Sequence, residues 1–395
     1  MSKKITEKVT WVGKTDWELK KFHGDEFTTI SGSSYNSYLI RDEKTILIDT
    51  AWLPYDREFV KNLEEEIELN KIDAIIALHG EIDHSGALVE LMKKMPKNTP
   101  IYCTANGVKS IQGQYHKDWN FQVVKTGDSL KLGQTTLHFI EAPMLHWPDT
   151  CFAYLDDENI LFSSDGFGQH LASEHLYADE VEQSLLYKEA QKYYANILAP
   201  FSMVVTRKIN EILEMNLQIS MICPSHGLIW RKEPEQIIKK YLQWADNYQE
   251  NQITIIYDTM WNDTRKMAEA IAKGIQNKDK EVTIKLMNTA KDDKTDVLTE
   301  VFKSKMILVG SPTVNNGYLH SIAGILEMIK GMKLKNKKAA AFGSYGWSGE
   351  AVKQITDYLN MSGFEIVNDG IRCMWTPDES VEKELEQFGE KLISE

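Results

Sequence analysis

Cysteine is scarce in this 395-residue chain: there are four, at 103, 151, 223 and 373, and no two form a Cys-x-x-Cys pair. Four scattered thiols cannot make a disulfide framework, and their spacing excludes a cysteine-ligated iron–sulfur or rubredoxin-type centre. A reducing cytoplasm is the simplest setting, and any metal must be held by histidine and carboxylate. Long apolar runs are missing too. Stretches such as Ala74 to Leu78 and Met306 to Val309 fall far short of the roughly 20 residues that span a bilayer. Nor is there an excess of positive charge. Lys and Arg total 45 against 58 Asp and Glu, a net −13 that repels phosphate backbones and argues against nucleic acid as a partner. The opening MSKKITEKVTWVGKTDWEL lacks the apolar core of a secretory signal, so the mature protein is expected to start near Met1.

What remains is an ordinary globular composition, 42% hydrophobic and 26% charged, at a length that suggests two or three domains. From residue 35 to about 230 short strands mix with helices. Residues 37–50 form two apolar runs around Arg41 to Lys44, a hairpin signal. A buried strand is expected at 72–78, a helix over 83–95, and strands at 101–104, 135–142, 151–155, 160–164 and 219–223. A helix over 233–250 leads into an exposed linker at 247–252, which places the domain boundary at 250. Beyond it the pattern alternates strictly. Strands at 253–258, 282–288, 306–312, 339–345 and 364–369 are separated by helices near 264–276, 294–303, 319–331, 349–361 and 380–393, the pattern of a doubly wound parallel five-stranded sheet.

The buried run 72–78 is followed at once by His79-Gly80-Glu81-Ile82-Asp83-His84. Four potential ligands in six residues, where a strand gives way to a helix, can converge on one small volume. His146, Asp165 and His226 each come just after a predicted strand, and strand ends of one sheet can meet at its rim. Seven donors exceed what one tetrahedral zinc accepts, whereas two divalent ions balance three carboxylates and one bridging hydroxide. A dinuclear centre is the economical reading. His116, His138, His170, His175 and His320 have no matching context and read as ordinary histidines.

The cluster resembles the metallo-β-lactamase superfamily, whose zinc hydrolases usually carry His-x-His-x-Asp-His, but here Glu81 stands where the second histidine would be. An added anionic oxygen donor suits iron better than zinc. His-x-Glu-x-Asp-His followed by a distal His, Asp and His resembles the signature of the flavodiiron proteins. The resemblance implies an αββα sandwich in which His79, Glu81 and His146 hold one iron, Asp83, His84 and His226 hold the other, and Asp165 bridges them. In some relatives the histidine equivalent to His84 is turned away and replaced by water. The resemblance also puts His23 and Tyr193 in the pocket as hydrogen-bond donors.

In the second half, the first strand runs through Thr259-Met260-Trp261-Asn262-Asp263-Thr264 into a helix, a ready anion site at a helix N-terminus. The loop has neither Gly-Lys-Ser/Thr nor Gly-x-Gly-x-x-Gly, which leaves a mononucleotide phosphate. Two further loops come after the third and fourth strands: one carries Ser311, Pro312, Thr313, Asn315, Asn316 and Gly317, the other Ser344, Tyr345, Gly346, Trp347 and Gly349. All three surround the crevice of a flavodoxin-like sheet. Residues 253–395 resemble flavodoxin, and the loops resemble the flavin mononucleotide (FMN) loops of the flavodiiron proteins, with Trp347 against the flavin and near the metal site of a second subunit.

The likeness spans essentially the whole chain, as a metallo-β-lactamase-like diiron domain over 1–250 and a flavodoxin-like FMN domain over 251–395, without the added rubredoxin or flavin-reductase modules of some relatives. It implies a cytoplasmic reductase of dioxygen to water, of nitric oxide to nitrous oxide, or of both. Electrons would come from rubredoxin or a similar donor protein, in a head-to-tail homodimer or a dimer of dimers. Two other readings are a dinuclear zinc hydrolase with an accessory flavin domain and a non-catalytic flavin electron carrier.

Overall fold

The computed structural model describes residues 2–394, which form two compact units. One comprises the chain to Tyr194 together with Phe201–Leu242; the other comprises Ala195–Pro200 and the chain from Gln243 onward. No helix among the described residues is long and apolar enough to cross a membrane.

The first unit is a sandwich of two sheets. The seven-stranded sheet runs, edge to edge, Lys3–Lys4, Val9–Trp11, Tyr38–Arg41, Thr45–Ile48, Ala74–Ile76, Ile101–Cys103 and Phe121–Val123. The five-stranded sheet runs Ser129–Lys131, Thr136–Glu141, Cys151–Leu155, Ile160–Phe162 and Met221–Cys223. Alternate residues of both sheets share one core: Tyr38, Ile40, Ile46, Ile48, Ala74 and Ile76 from the first, and Leu137, Phe139, Ala153, Leu155 and Phe162 from the second. The central strand Ala74–Ile76 is buried on both faces, which is why its sequence is an unbroken apolar run. Helices such as Asp56–Glu66 and Leu88–Lys94 present buried apolar residues on the outside of this arrangement, giving the layered α/β fold expected from the sequence.

The hairpin at Tyr38–Arg41 and Thr45–Ile48 pairs antiparallel as expected. The helix expected over 83–95 is instead two, Ile82–Ser85 and Leu88–Lys94. The chain crosses there at close range, since a Cβ on Gly86 would stand 2.3 Å from both the Ile82 carbonyl and the Leu53 nitrogen. The strands at Phe121–Val123 and Ser129–Lys131 were not foreseen. Both are short, largely exposed edge elements that carry little hydrophobic signal.

In the second unit, strands Thr283–Asn288, Glu250–Tyr257, Ser304–Gly310 and Lys338–Tyr345 lie side by side in that order, all parallel. The fifth position is split. Glu365–Ile366 pairs with the start of Lys338–Tyr345 and Ile371–Met374 with its end, because the chain breaks between them at Gly370, whose φ is +88°. The order 2-1-3-4-5 is the flavodoxin-like one, which opens a crevice at the carboxyl ends of the first, third and fourth strands. The supposed linker at 247–252 already contains the first residues of Glu250–Tyr257. Helices Asp263–Lys278 and Glu379–Ser394 touch backbone to backbone: a Cβ on Gly274 would lie 1.9 Å from the Glu386 carbonyl oxygen.

Candidate metal centre and flavin cleft

All seven candidate donors sit at strand ends on one rim of the sandwich. His79 comes after Ala74–Ile76, Glu81 is the N-cap of the short helix Ile82–Ser85, and Asp83 and His84 lie within that helix. His146 lies in the turn after Thr136–Glu141, Asp165 just beyond Ile160–Phe162, and His226 just beyond Met221–Cys223. Their ligating atoms gather into three overlapping groups: His79, Glu81 and His146; Asp83, His84 and His226; and His79, His84 and Asp165. Within each group the atoms are within 4.8 Å of one another.

Asp165 joins the two sides. Its Oδ1 is 3.2 Å from His84 Nε2 and 3.4 Å from His226 Nε2, whereas its Oδ2 is 3.7 Å from both His79 Nε2 and His146 Nε2. On one flank Glu81 Oε2 faces His79 Nε2 at 3.3 Å and His146 Nε2 at 3.4 Å; on the other, Asp83 Oδ2 faces His226 Nε2 at 3.0 Å. His84 is turned inward, toward both Asp165 and Asp83.

Three of the four histidines have the opposite ring nitrogen held from behind. His79 Nδ1 is 3.1 Å from Asp149 Oδ1, His84 Nδ1 is 3.4 Å from Asp49 Oδ2, and His226 Nδ1 donates to the Ser34 carbonyl at 2.7 Å. For His84 and His226 an outer acceptor on Nδ1 fixes the tautomer that leaves Nε2 free for a metal, while Asp149 faces His79 as an ion-pair contact without an aligned hydrogen bond. Asp149 and Asp49 are themselves held, accepting from the backbone N–H of Gly80 at 2.8 Å and of Leu78 at 2.7 Å. None of these outer partners was identified from the sequence. The only trace of Asp49 there is an acidic residue closing the apolar run 45–48.

The electrostatics fit a cation. Burial opposes charge on every one of these groups, yet Asp149 and Glu81 push His79 up to about 10, and Asp165 and Asp83 push His226 up to about 9. Against the same opposition from burial, His146, His23 and His79 hold Glu81 well below the carboxylate range, and His84 and His226 do the same for Asp165. Asp83 Oδ1, His84 Nε2 and Asp165 Oδ2 are buried with no hydrogen-bond partner. Orphaned donor atoms of opposite charge around one small volume are what two divalent ions would satisfy.

Of the pocket residues, Tyr193 ends the helix Gln183–Tyr193 and donates its hydroxyl to Asp165 Oδ1 at 3.0 Å. His23, at φ +52° in the hairpin joining Lys21–Phe22 to Phe27–Thr28, lies 3.2 Å from Glu81 Oε1. His170, read as ordinary, is buried with its ring centroid 5.2 Å from that of His226 and its Nδ1 2.8 Å from the Ser33 hydroxyl.

In the second unit a cavity of about 390 Å³ opens at the carboxyl ends of the strands. Of the expected flavin contacts, Met260, Thr313, Asn315, Asn316, Gly346 and Trp347 line it, joined by Val314 and Ser348, which were not expected. Thr313–Gly317 closes on itself through reciprocal Val314 and Gly317 backbone bonds, with Asn315 and Asn316 at φ +48° and +58°, a turn that asparagine tolerates. Thr313 N–H donates to the Ser344 carbonyl at 2.9 Å, and Thr264 Oγ1 meets Ser344 Oγ at 3.0 Å, so the three loops are tied together. Thr259 Oγ1 is buried without a partner beside the N-terminus of Asp263–Lys278, as a phosphate-facing hydroxyl would be. Trp261 and Trp347 are 84% and 87% exposed, and Asn262 takes the N-cap position at φ +71° without a side-chain cap bond. Asp263, Ser311, Pro312, Gly317, Tyr345 and Gly349 belong to these loops without lining the cavity.

Residues 34–227 match the family described as ODP family beta lactamase, and residues 255–389 match flavodoxin. The chain is 53% identical to the anaerobic nitric oxide reductase flavorubredoxin of Klebsiella pneumoniae over 380 residues, 96% of this chain and 78% of that protein. Its fold matches the rubredoxin oxygen:oxidoreductase of Desulfovibrio gigas with a TM-score of 0.95 at 34% identity, covering 98% and 97% of the two chains. It also matches the flavodiiron protein of Giardia intestinalis, with a TM-score of 0.92 at 31% identity and coverage of 99% and 96%.

The chain belongs to the flavodiiron proteins. It is an oxidoreductase and a flavoprotein, with FMN and a non-haem diiron centre as its cofactors. The donor set of the first unit and the cleft of the second fit those two groups.

Proposed function

We propose that this chain is a cytoplasmic nitric oxide reductase in which one iron is held by His79, Glu81 and His146, the other by Asp83, His84 and His226, with Asp165 across both. The observation that carries the assignment is the two-sided placement of Asp165, one carboxylate oxygen facing each donor group. Nitric oxide is favoured over dioxygen by the name of the relative that is 53% identical; the fold likeness to an oxygen reductase supports dioxygen as a second substrate.

When bound, the two irons supply adjacent positions for a diatomic gas together with the electrons that reduce it, recharged through the flavin. The chain's own residues set the geometry. Asp149, Asp49 and the Ser34 carbonyl orient the three imidazoles; Tyr193 holds a proton on Oη at Asp165, and His23 holds one at Glu81, so both can donate to a polar species in the pocket. Thr259 and the N-terminus of Asp263–Lys278 bind the FMN phosphate, and the loops at Thr313–Asn316 and Gly346–Ser348 hold the ring. Electrons come from a rubredoxin-like donor protein, and a head-to-tail homodimer brings the flavin of one subunit to the irons of the next.

The test is anaerobic reduction of the iron- and FMN-loaded protein followed by separate exposure to nitric oxide and to dioxygen. Turnover of nitric oxide supports the reading. Two zinc ions per chain with no iron, and no consumption of either gas, would overturn it in favour of a hydrolase.

A further inference from the structure

A file of aromatic rings runs from the metal centre toward half-buried residues at the surface. The His226 ring meets Tyr35 edge-on, with centroids 6.1 Å apart and planes at 84°. Tyr35 is in turn 5.8 Å from Trp52 and 5.8 Å from Tyr55, which are 6.2 Å from each other. Tyr35 is fully buried, whereas Trp52 and Tyr55 are half-buried.

The phenol of Tyr35 is not idle packing. Its hydroxyl donates to Asp16 Oδ2 at 3.0 Å, and the other oxygen of that buried carboxylate accepts the backbone N–H groups of Glu18 and Leu19, both at 3.1 Å. The carboxylate is thus fixed in place with Oδ2 against the Tyr35 phenol, and Tyr55 bonds the same carboxylate. A phenylalanine would fill the same volume, and burying a carboxylate beside a phenol carries a desolvation cost that packing does not demand. The phenolic proton lies on the hydrogen bond to Asp16 Oδ2, so an electron leaving Tyr35 is accompanied by that proton moving along the bond.

We propose that Tyr35 and Trp52 form a radical relay that drains oxidising equivalents from the metal centre to the surface. This inference rests on the diiron reading above. The oxidant is dioxygen that meets the site when too few electrons are on hand to finish its reduction to water. Tyr35 gives one electron to the oxygen-oxidised centre by way of the His226 ring and its phenolic proton to Asp16 Oδ2, leaving a neutral tyrosyl radical. One electron from Trp52, with the proton returning from Asp16, restores Tyr35 and leaves the indole oxidised at the protein edge. There a soluble thiol supplies the missing electron. Trp52 rather than Tyr55 is the exit, because Tyr55 bonds the same Asp16 carboxylate that must take the Tyr35 proton, whereas an indole can give up an electron without a proton acceptor.

The experiment uses holoprotein whose iron content has been measured. It is given two electrons per chain by limiting dithionite under argon, two fewer than dioxygen needs to become water, then mixed with dioxygen, freeze-quenched for electron paramagnetic resonance, and digested for mass-spectrometric mapping of oxidised residues. The relay predicts a tyrosyl signal and oxidation at Trp52. Tyr35→Phe loses both and shifts oxidation to the histidines of the metal site; Trp52→Phe keeps the Tyr35 signal, which then persists longer, and loses the surface oxidation. An unchanged signal and oxidation map in Tyr35→Phe at wild-type iron content would overturn the relay. Should Tyr35→Phe fail to hold iron, Trp52→Phe decides alone, and a signal lifetime and map identical to wild type would count against it. A wild-type protein that takes up no iron overturns the diiron reading, whereas one with iron and no radical overturns only the relay.

Discussion

His79 Nδ1 lies 3.1 Å from Asp149 Oδ1, and the other oxygen of that carboxylate accepts the N–H of Gly80, the residue next along the chain. One aspartate therefore pairs electrostatically with the ring of a metal donor and hydrogen-bonds the backbone that carries it. Asp149→Asn keeps the shape but replaces one acceptor oxygen by an amide donor. Losing such an outer partner typically costs about 10–100-fold in metal affinity. Competition with a chelator, followed by iron assay, should show a loss of that order with the fold intact by circular dichroism.

Metal uptake should be linked to pH. In the metal-free protein His79 is raised to about 10 and His226 to about 9, so both carry protons at neutral pH that a metal must displace. Apparent affinity should therefore rise as pH increases from 7 toward 9, and binding should release protons into a weakly buffered solution. Potentiometric titration of the apoprotein with ferrous iron under argon measures this directly; uptake without proton release contradicts it.

Those two histidines were legible in the sequence, and Asp149 was not. The run from His79 to His84 announces itself because four donors sit in six residues, and His146, Asp165 and His226 stand out because each comes directly after a buried apolar run. Asp149, Asp49 and Ser34 reach their histidines across gaps of 70, 35 and 192 residues, and no periodicity or spacing encodes such a meeting. The same limit applied to the fold. Buried strands such as Ala74–Ile76 and the alternating second half could be read from hydrophobic pattern, whereas Phe121–Val123 and the other exposed edge strands offered none. His170, read as an ordinary histidine, stands in none of the three donor groups, though the fold packs it beside His226.

Thr259 supplies a prediction for the flavin cleft. Its hydroxyl is buried without a protein partner. If it bonds the FMN phosphate, Thr259→Ala removes one charge-assisted hydrogen bond, worth about 1.5–3 kcal/mol, or roughly a 10–100-fold weaker dissociation constant. Recovery of free-flavin fluorescence on dilution measures this, and the iron content should not move.

Gly274 makes a prediction about stability alone. A Cβ there would lie 1.9 Å from the Glu386 carbonyl oxygen, so helices Asp263–Lys278 and Glu379–Ser394 must separate to admit alanine. Gly274→Ala would gain helix propensity in an ordinary helix. Here overpacking should outweigh that gain and destabilise the flavin domain by about 1–3 kcal/mol, visible as a lower urea midpoint for flavin release.

Anomalous scattering at the iron edge from crystals of the iron-loaded protein decides whether seven side chains hold two irons. Two iron peaks per chain are expected, one among His79, Glu81 and His146, the other among Asp83, His84 and His226, with Asp165 reaching both. A single peak, or peaks that appear only at the zinc edge, would contradict that arrangement.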